Sequence, residues 1–223
     1  MPVRDDLADA HRLAWDHLAA PGTWWSGAQR IELAYTALSA IVDPDPPPPW
    51  IPISSTGRLG ADLLAPGAAH DMVFRISRFA GTITESVYRA AADELGELPY
   101  VELCAISSTV GAVVHFCRNI GAHVPPLPGA VDGEPTRERP EELAQPRYNW
   151  VPVAAPADAV AAVVQAYTAV PAEQANTWRM ASAQYMPADE MVDPDWRRRP
   201  DGLSRAQMEL VAARLTMARD CFY

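Results

Sequence analysis

Two proline-rich stretches limit where this chain can form regular secondary structure. Residues 43–52 read DPDPPPPWIP, and residues 122–156 contain eight prolines. Proline has no backbone N–H donor and restricts the residue before it, so neither stretch can continue a helix or lie in a central strand. The first stretch therefore predicts a stiff, polyproline-like connector. The second predicts either an ordered extended arm or a loose linker.

The segments outside these stretches carry the pattern of helices. Their apolar residues recur at steps of three and four, which places them on one helical face, whereas alternating runs typical of strands are short. The predicted fold class is therefore all-α. The helix at residues 100–120 is apolar almost all round, which predicts that it is central and buried. Predicted helices cover residues 3–20, 27–42, 58–65, 70–79, 84–95, 100–120, 157–170, 172–186 and 203–223.

Charge and composition exclude several classes of function. The 223-residue chain has a formal net charge of −10, so no basic surface is expected for nucleic acid or for an anionic membrane. No apolar run approaches the ~20 residues of a membrane span, and acids stand where a signal peptide would have bases. We therefore expect a soluble, cytoplasmic protein. All 18 basic residues are arginine, which excludes lysine Schiff-base chemistry.

The cysteines and histidines indicate neither a disulfide framework nor a metal site. Three sparse cysteines, Cys104, Cys117 and Cys221, fit a reducing compartment. If Cys104 and Cys117 share one helix, they lie ~20 Å apart along it and cannot form a disulfide. No histidine spacing is typical of metal ligands, and no glycine-rich phosphate loop is present. Neither a metal nor a cofactor is expected.

The last stretch of the chain combines an apolar stripe with two reactive side-chain types. The stripe predicts a helix packed against a bundle core, with Ser204 as its N-cap. Glu209 precedes Cys221 by twelve residues, which on one straight helix means about 18 Å of rise and roughly 120° of rotation. The two side chains can meet only if the helix ends before Cys221, with Asp220 as N-cap of a new helix. The residues of the stripe are Met208, Val211, Leu215, Ala218 and Phe222.

The sequence R-A-Q-M-E-L-V-A-A-R followed by D-C-F-Y resembles the motif of the alkylhydroperoxidase D-like / carboxymuconolactone decarboxylase superfamily. In redox-active members, a glutamate precedes a C-x-x-C-x-x-x-H motif by this same interval. The resemblance matches Glu209 to the proton-relay glutamate and Cys221 to the first cysteine. The second cysteine and the histidine would fall after Tyr223. Two explanations stay open: a shortened chain, or a protein that has lost its redox function.

The resemblance also implies a two-lobed organisation. The segments W-S-G-A-Q-R-I-E-L-A, L-P-Y-V-E-L-C-A-I, G-E-P-T-R-E-R-P and N-W-V-P look like parts of the larger two-lobed members, and the sequence from Ser26 echoes the one from Ser204. We therefore expect a single all-α domain made of two pseudo-repeated helical lobes joined by proline-rich connectors. The degenerate lobe covers residues 1–121, the arm 122–156 and the C-terminal lobe 157–223. The family implies homo-oligomers, as dimers, trimers or hexamers, with sites near subunit contacts.

Each candidate catalytic residue has two interpretations. Cys221 is either a reactive thiol or a redox-inactive remnant, because Asp220 and the terminal carboxylate disfavour a thiolate beside them. Glu209 is either a proton relay or the partner of Arg205 one turn back. His115 either replaces the missing motif histidine or is a hydrogen-bonded core histidine.

Three functions follow from these alternatives. The first is an alkylhydroperoxidase-like antioxidant peroxidase, an oxidoreductase whose incomplete motif leaves its activity open. The second is a cofactor-free decarboxylase, isomerase or cyclase on the same scaffold, acting on a small molecule in a pocket lined by Trp24, Trp25, Tyr100, His115 and Glu209. The third is a non-catalytic subunit of an oligomer, held by the proline-rich arm.

Overall fold

The computed structural model describes residues 3–145, 150–154 and 162–218, and the regular structure in these ranges is helical. The predicted all-α class is confirmed. Short 3-10 turns lie at Ile53–Ser55, Ala80–Thr82 and Ala188–Glu190. The α-helices are α1 (Asp5–Ala19), α2 (Gly27–Val42), α3 (Gly67–Phe79), α4 (Glu85–Leu95), α5 (Glu97–Ile120), α6 (Ala162–Gln165), α7 (Pro171–Gln184) and α8 (Arg205–Ala218).

Local capping explains why several helix ends agree with the prediction. Ser26 and Gln29 form a reciprocal capping box at the start of α2, which begins and ends where predicted. The Thr84 hydroxyl accepts from the Val87 N–H at the start of α4. Gly121 follows α5 with φ 68°, a left-handed conformation that glycine adopts without a steric penalty.

Two helix predictions are wrong or incomplete. Residues 58–65 form no helix, because the N–H groups of Leu64 and Ala65 donate to the Glu32 carboxylate instead of to carbonyls of a preceding turn. The predicted helix at 157–170 is represented among the described residues by α6 alone. Tyr167 follows it with φ 63°, which cannot continue a right-handed helix.

Helix α5 is the centre of the core, as predicted. It packs against α2, α3 and α4, while α1 packs against α2 and α7. Its Leu103, Ile106 and Val110 side chains are fully buried. By length and hydropathy α5 could also cross a membrane, so the prediction that no apolar run approaches such a span is wrong for this helix. Within the protein, 67% of its most apolar window is buried. That burial is what the core helix of a globular fold shows.

The described part of residues 122–156 is an extended arm held to the helices by backbone hydrogen bonds. The Val131 N–H donates to the Ala19 carbonyl, the Thr136 N–H to Gly22 and the Arg137 N–H to Thr23. Further along, Ala144 and Val153 exchange two backbone hydrogen bonds. Between the two predicted alternatives, an ordered arm is therefore correct for these residues.

Helix α8 contradicts the prediction that its apolar stripe packs against a core. None of its residues is buried, and Leu210, Val211 and Leu215 are 71%, 63% and 61% exposed. The half-buried positions of α8 are 205, 208, 212 and 216. Of these, only Met208 belongs to the predicted stripe, so the partly covered face of α8 is a different one. Phe222 lies outside the described residues.

Candidate functional site

A hydrogen-bonded group of three side chains joins α2 to α3. Glu32 and Thr36 lie one turn apart on α2, and His70 is the fourth residue of α3. The His70 Nδ1 is 2.8 Å from the Thr36 hydroxyl, and its Nε2 is 3.2 Å from Glu32 Oε2. His70 and Thr36 are buried, whereas the Glu32 side chain is 22% exposed. We call Glu32, Thr36 and His70 the histidine triad.

The partners of His70 fix its tautomer when the ring is neutral. The Glu32 carboxylate accepts from the N–H groups of Leu64, at 3.0 Å, and Ala65, at 2.8 Å. An ionised carboxylate only accepts hydrogen bonds, so the proton of the neutral ring lies on Nε2. The Nδ1 atom then accepts from the Thr36 hydroxyl. His70 is thus placed as a base, and the Glu32 carboxylate sets the orientation of its ring.

The histidine triad borders a cavity of about 270 Å³, close to the lower end of the range for ligand pockets. Arg58 and Asp43 form an ion pair at the same cavity, and Ser39 and Tyr35 contribute hydroxyl groups. Polar side chains therefore converge on a space that can admit a small molecule. Chemically, a proton can reach His70 Nδ1 through the Thr36 hydroxyl, because that hydroxyl faces both this nitrogen and the cavity.

A second group of charged side chains is fully buried between α1, α2, α5 and α7. Arg30 donates to both Glu102 and Glu173, the latter at 2.7 Å. The His17 Nε2 lies 2.9 Å from Glu173 Oε1, and the backbone N–H of Trp24 donates to the Glu102 carboxylate at 2.7 Å. Arg30, Glu102 and Glu173 have no exposed surface. These three residues form a buried ion cluster that joins α2, α5 and α7 without contact with solvent, whereas the His17 side chain of α1 is 19% exposed. We assign this buried ion cluster a structural role.

The two carboxylates of the buried ion cluster hold a proton with different affinity. Burial raises the pKa of Glu102, and the neighbouring Glu173 charge adds to that effect against the opposing influence of Arg30. Burial would also raise the pKa of Glu173. The Arg30 charge and the His17 hydrogen bond outweigh burial, so the net effect is a lowered pKa. The first proton that this cluster takes up therefore goes to Glu102.

Glu209 has both a structural partner and an accessible carboxylate. The Tyr185 hydroxyl donates to Glu209 Oε1 at 2.6 Å, and Arg205 Nε lies 3.5 Å from the same oxygen. Burial, followed by the hydrogen bond to Glu209, raises the pKa of Tyr185 to about 12, so the phenol stays protonated at neutral pH. The Glu209 side chain is nevertheless 48% exposed. Pairing with Arg205 and a relay role are compatible with this geometry.

Of the other cysteines and histidines considered for the site, His115, Cys104 and Cys117 lie among the described residues. Cys221 lies outside the described residues. His115 is on the exposed side of α5, and Cys104 and Cys117 are on the same helix, so they are ~20 Å apart. Burial raises the pKa of both thiols, that of Cys104 to about 12. Neither described cysteine is therefore a ready thiolate.

The predicted five-residue pocket is not a single site. Trp25 donates to the Pro99 carbonyl at the start of α5, next to Tyr100. His115 lies fifteen residues further along α5, which is about 22 Å of helical rise. Trp24 lines a different cavity, together with Arg137 and Arg139. Residues on opposite ends of α5 cannot contact one small molecule.

Sequence reasoning missed the residues that the structure groups together. Glu102 is an acid within the most apolar helix, which is a signal for a buried partner, and Arg30 shares a helical face with Leu33 and Ala37. His70 stands at the first position of the predicted helix 70–79, whereas in the structure it lies inside α3 and is buried. Its spacing to Val73 and Phe74 places it on the apolar face, which was the available signal.

Comparison of this chain with models of protein families, with curated proteins and with solved structures finds no match. The resemblance to the alkylhydroperoxidase D-like superfamily therefore depends on the motif residues alone. Among the described residues, no group of three or more His, Cys, Asp or Glu side chains could hold a metal ion.

Proposed function

We propose that this chain is an alkylhydroperoxidase-like protein of thiol-peroxidase ancestry, in which Glu209 serves Cys221 as proton relay. The observation that supports this proposal is the state of Glu209, an accessible carboxylate oriented by Tyr185 and Arg205 instead of a packed core acid. It precedes Cys221 by the interval that the motif requires. The structure thus leaves Glu209 available for the role that the resemblance implies.

The reaction starts when the Cys221 thiolate attacks the terminal oxygen of a hydroperoxide. The S–O bond forms as the O–O bond breaks, the sulfur is oxidised to a sulfenic acid, and the leaving alkoxide takes a proton relayed through Glu209. A thiol reductant is needed to return the sulfenic acid to the thiol. Helix α8 continues to Ala218, so contact between Glu209 and Cys221 of one chain needs a change of chain direction after that residue.

Hydroperoxide consumption with dithiothreitol as reductant tests this proposal. We expect turnover in the wild type, its loss in Cys221→Ser and its retention in Cys117→Ser, the matched control with a buried thiol of raised pKa. Equal turnover in the two variants would contradict the proposal, as would a wild type no faster than the buffer.

A second candidate function, a cofactor-free enzyme that moves protons on a small molecule, is favoured by the histidine triad. Its cavity brings a base, an orienting carboxylate and a hydroxyl together. This site takes the place of the five-residue pocket expected from the sequence. Decarboxylases, isomerases and cyclases all need such a positioned proton acceptor.

The base-sensitive ring opening of 5-nitrobenzisoxazole measures that capacity directly. We expect His70→Gln to lower the catalysed rate at least tenfold and Glu32→Gln to lower it less, because the ring keeps its Nδ1 but loses its orienting partner. His123→Gln is the matched control, since His123 lines a separate cavity. A rate unchanged in His70→Gln would exclude the histidine triad as the base.

The third candidate, a non-catalytic subunit of an oligomer, and the homo-oligomeric assembly itself stay predictions. The exposed apolar side chains of α8 support assembly with a second copy of the chain. Cytoplasmic location and the absence of nucleic-acid and membrane partners also remain predictions from the charge of the sequence.

A further inference from the structure

A third cavity lies at the start of α5, where the extended arm crosses the loop between α1 and α2. Its volume is about 360 Å³, and it is lined by residues 95–99, by Trp24 and by Arg137 and Arg139 of the arm. Leu95, Leu98 and Pro99 give it an apolar side, and the two arginines give it a cationic side. We call this cavity the arginine pocket.

The arm holds Arg137 in an unusual backbone conformation. Its φ is 58°, in the left-handed region that side-chain-bearing residues rarely adopt. The Arg137 N–H donates to the Thr23 carbonyl at 2.9 Å, and the Thr136 N–H donates to Gly22 at 3.1 Å. These bonds keep the strained residue in place beside Trp24. Strain that the surrounding structure maintains is concentrated at binding and catalytic sites.

Both guanidinium groups lie over the indole of Trp24. Their Cζ atoms are 5.6 Å from the ring centroid for Arg137 and 5.9 Å for Arg139, which is the range of cation–π contacts. Within the described part of the chain, neither arginine forms an ion pair with a carboxylate. An aromatic ring therefore positions both charges, and no carboxylate of the described residues is paired with them.

The one acid that lines the arginine pocket is already engaged. Glu97 accepts from the Tyr88 hydroxyl at 3.1 Å, and Arg89 lies 3.7 Å from the same oxygen. Glu97 also begins α5, a 24-residue helix, whose first N–H groups lack partners inside the helix and whose dipole favours an anion at that end. The lining of the pocket therefore carries two arginines and one engaged acid, in a chain whose net charge is −10.

We propose that the arginine pocket binds the oxyanion group, a carboxylate or a phosphate, of a small molecule. The guanidinium groups of Arg137 and Arg139 bind the oxygens through paired N–H donors. The apolar body of the ligand packs against Leu98 and Pro99. This site is independent of the peroxidase proposal, because it uses neither Glu209 nor Cys221.

Calorimetric titration with two probes, inorganic phosphate and benzoate, tests the arginine pocket at low salt. We expect saturable binding of at least one probe, weakened at least tenfold in the double variant Arg137→Gln/Arg139→Gln. The matched control, Arg12→Gln/Arg199→Gln, removes the same charge from two exposed arginines and should bind like the wild type. Preference for one probe identifies the oxyanion as a phosphate or as a carboxylate.

A variant with the opposite charge change distinguishes loss of the binding site from loss of folding. Glu97→Gln removes the acid of the pocket and should tighten binding several-fold, a result that a misfolded protein cannot give. Absence of saturable binding for both probes would overturn the proposal. It would equally be overturned if the two double arginine variants bound alike, or if Glu97→Gln left the affinity unchanged.

Discussion

At Gly22 the main chain passes directly over the buried ion cluster. A Cβ atom at this position would overlap the Arg30 guanidinium and the Glu102 carboxylate. Both are fully buried and hydrogen-bonded, so neither can move aside without breaking these bonds. The requirement for glycine here comes from this close approach. No local pattern in the sequence distinguishes Gly22, within Pro21-Gly22, from an ordinary helix stop.

Gly22→Ala should therefore separate a buried ion pair. We expect the free energy of unfolding to fall by about 3–5 kcal/mol, the usual cost of breaking such a pair. Urea denaturation measures the change. Gly60→Ala is the matched control, because nothing lies within 4 Å of a Cβ there, and it should be neutral or slightly stabilising. Similar losses in the two variants would show that the close approach is not the cause.

Protonation of Glu102 should be visible in the pH dependence of stability. Because its pKa is raised on folding, the folded state binds this proton more tightly than the unfolded state does. The resulting stability is fully present below the unfolded pKa and is lost as the pH rises through the folded value. The pKa of Glu173 is lowered on folding, so its effect on stability has the opposite sign. The stability that Glu173 contributes is present above its unfolded-state pKa and is lost as the pH falls from there through its folded-state pKa.

Comparison with Glu102→Gln isolates the Glu102 effect. As the pH falls from 7 to 5, we expect the wild type to gain free energy of unfolding relative to this variant, measured by urea denaturation at each pH. A constant difference between the two proteins over that range would contradict the assigned direction of the shift.

Helix α8 shows both what the spacing of apolar residues predicts and what it does not. The pattern from Ser204 onward predicts a helix, and α8 forms with hydrogen bonds between Ser204 and Gln207 at its start. Periodicity identifies an apolar face but not the surface that covers it. The described part of the chain does not bury Leu210 or Leu215. The same limit applies to residues 58–65, where a side chain elsewhere, Glu32, takes the backbone donors that a helix would use.

The exposed face of α8 should be covered by a second copy of this chain. We expect the wild type to have a mass of two or more 24.3 kDa chains in light scattering after gel filtration, and Leu210→Glu/Leu215→Glu to lower that mass to one chain. Val192→Glu, at a site that is 87% exposed outside α8, should leave the assembly intact. A monomeric wild type would exclude this role of α8.

Across the whole molecule, apolar spacing and capping residues predict the helices, whereas contacts between residues far apart in the sequence form the histidine triad and the buried ion cluster. The all-α class, the central position of α5 and the ends of α2 follow from apolar spacing and from capping residues such as Ser26 and Thr84. The histidine triad and the buried ion cluster join residues 34 to 143 positions apart. Such pairings depend on how helices pack, and a single sequence carries little information about packing.

The proposed peroxide chemistry requires Glu209 to move a proton for Cys221. The quantity to measure is the rate at which a hydroperoxide converts Cys221 to a sulfenic acid, trapped with dimedone and located by mass spectrometry. We expect an adduct at Cys221 that forms at least tenfold more slowly in Glu209→Gln than in the control Glu190→Gln, because proton transfer by a positioned group contributes roughly 10²–10⁴ in rate. Equal rates in these two variants, or an adduct on Cys104 or Cys117 in place of Cys221, would contradict it.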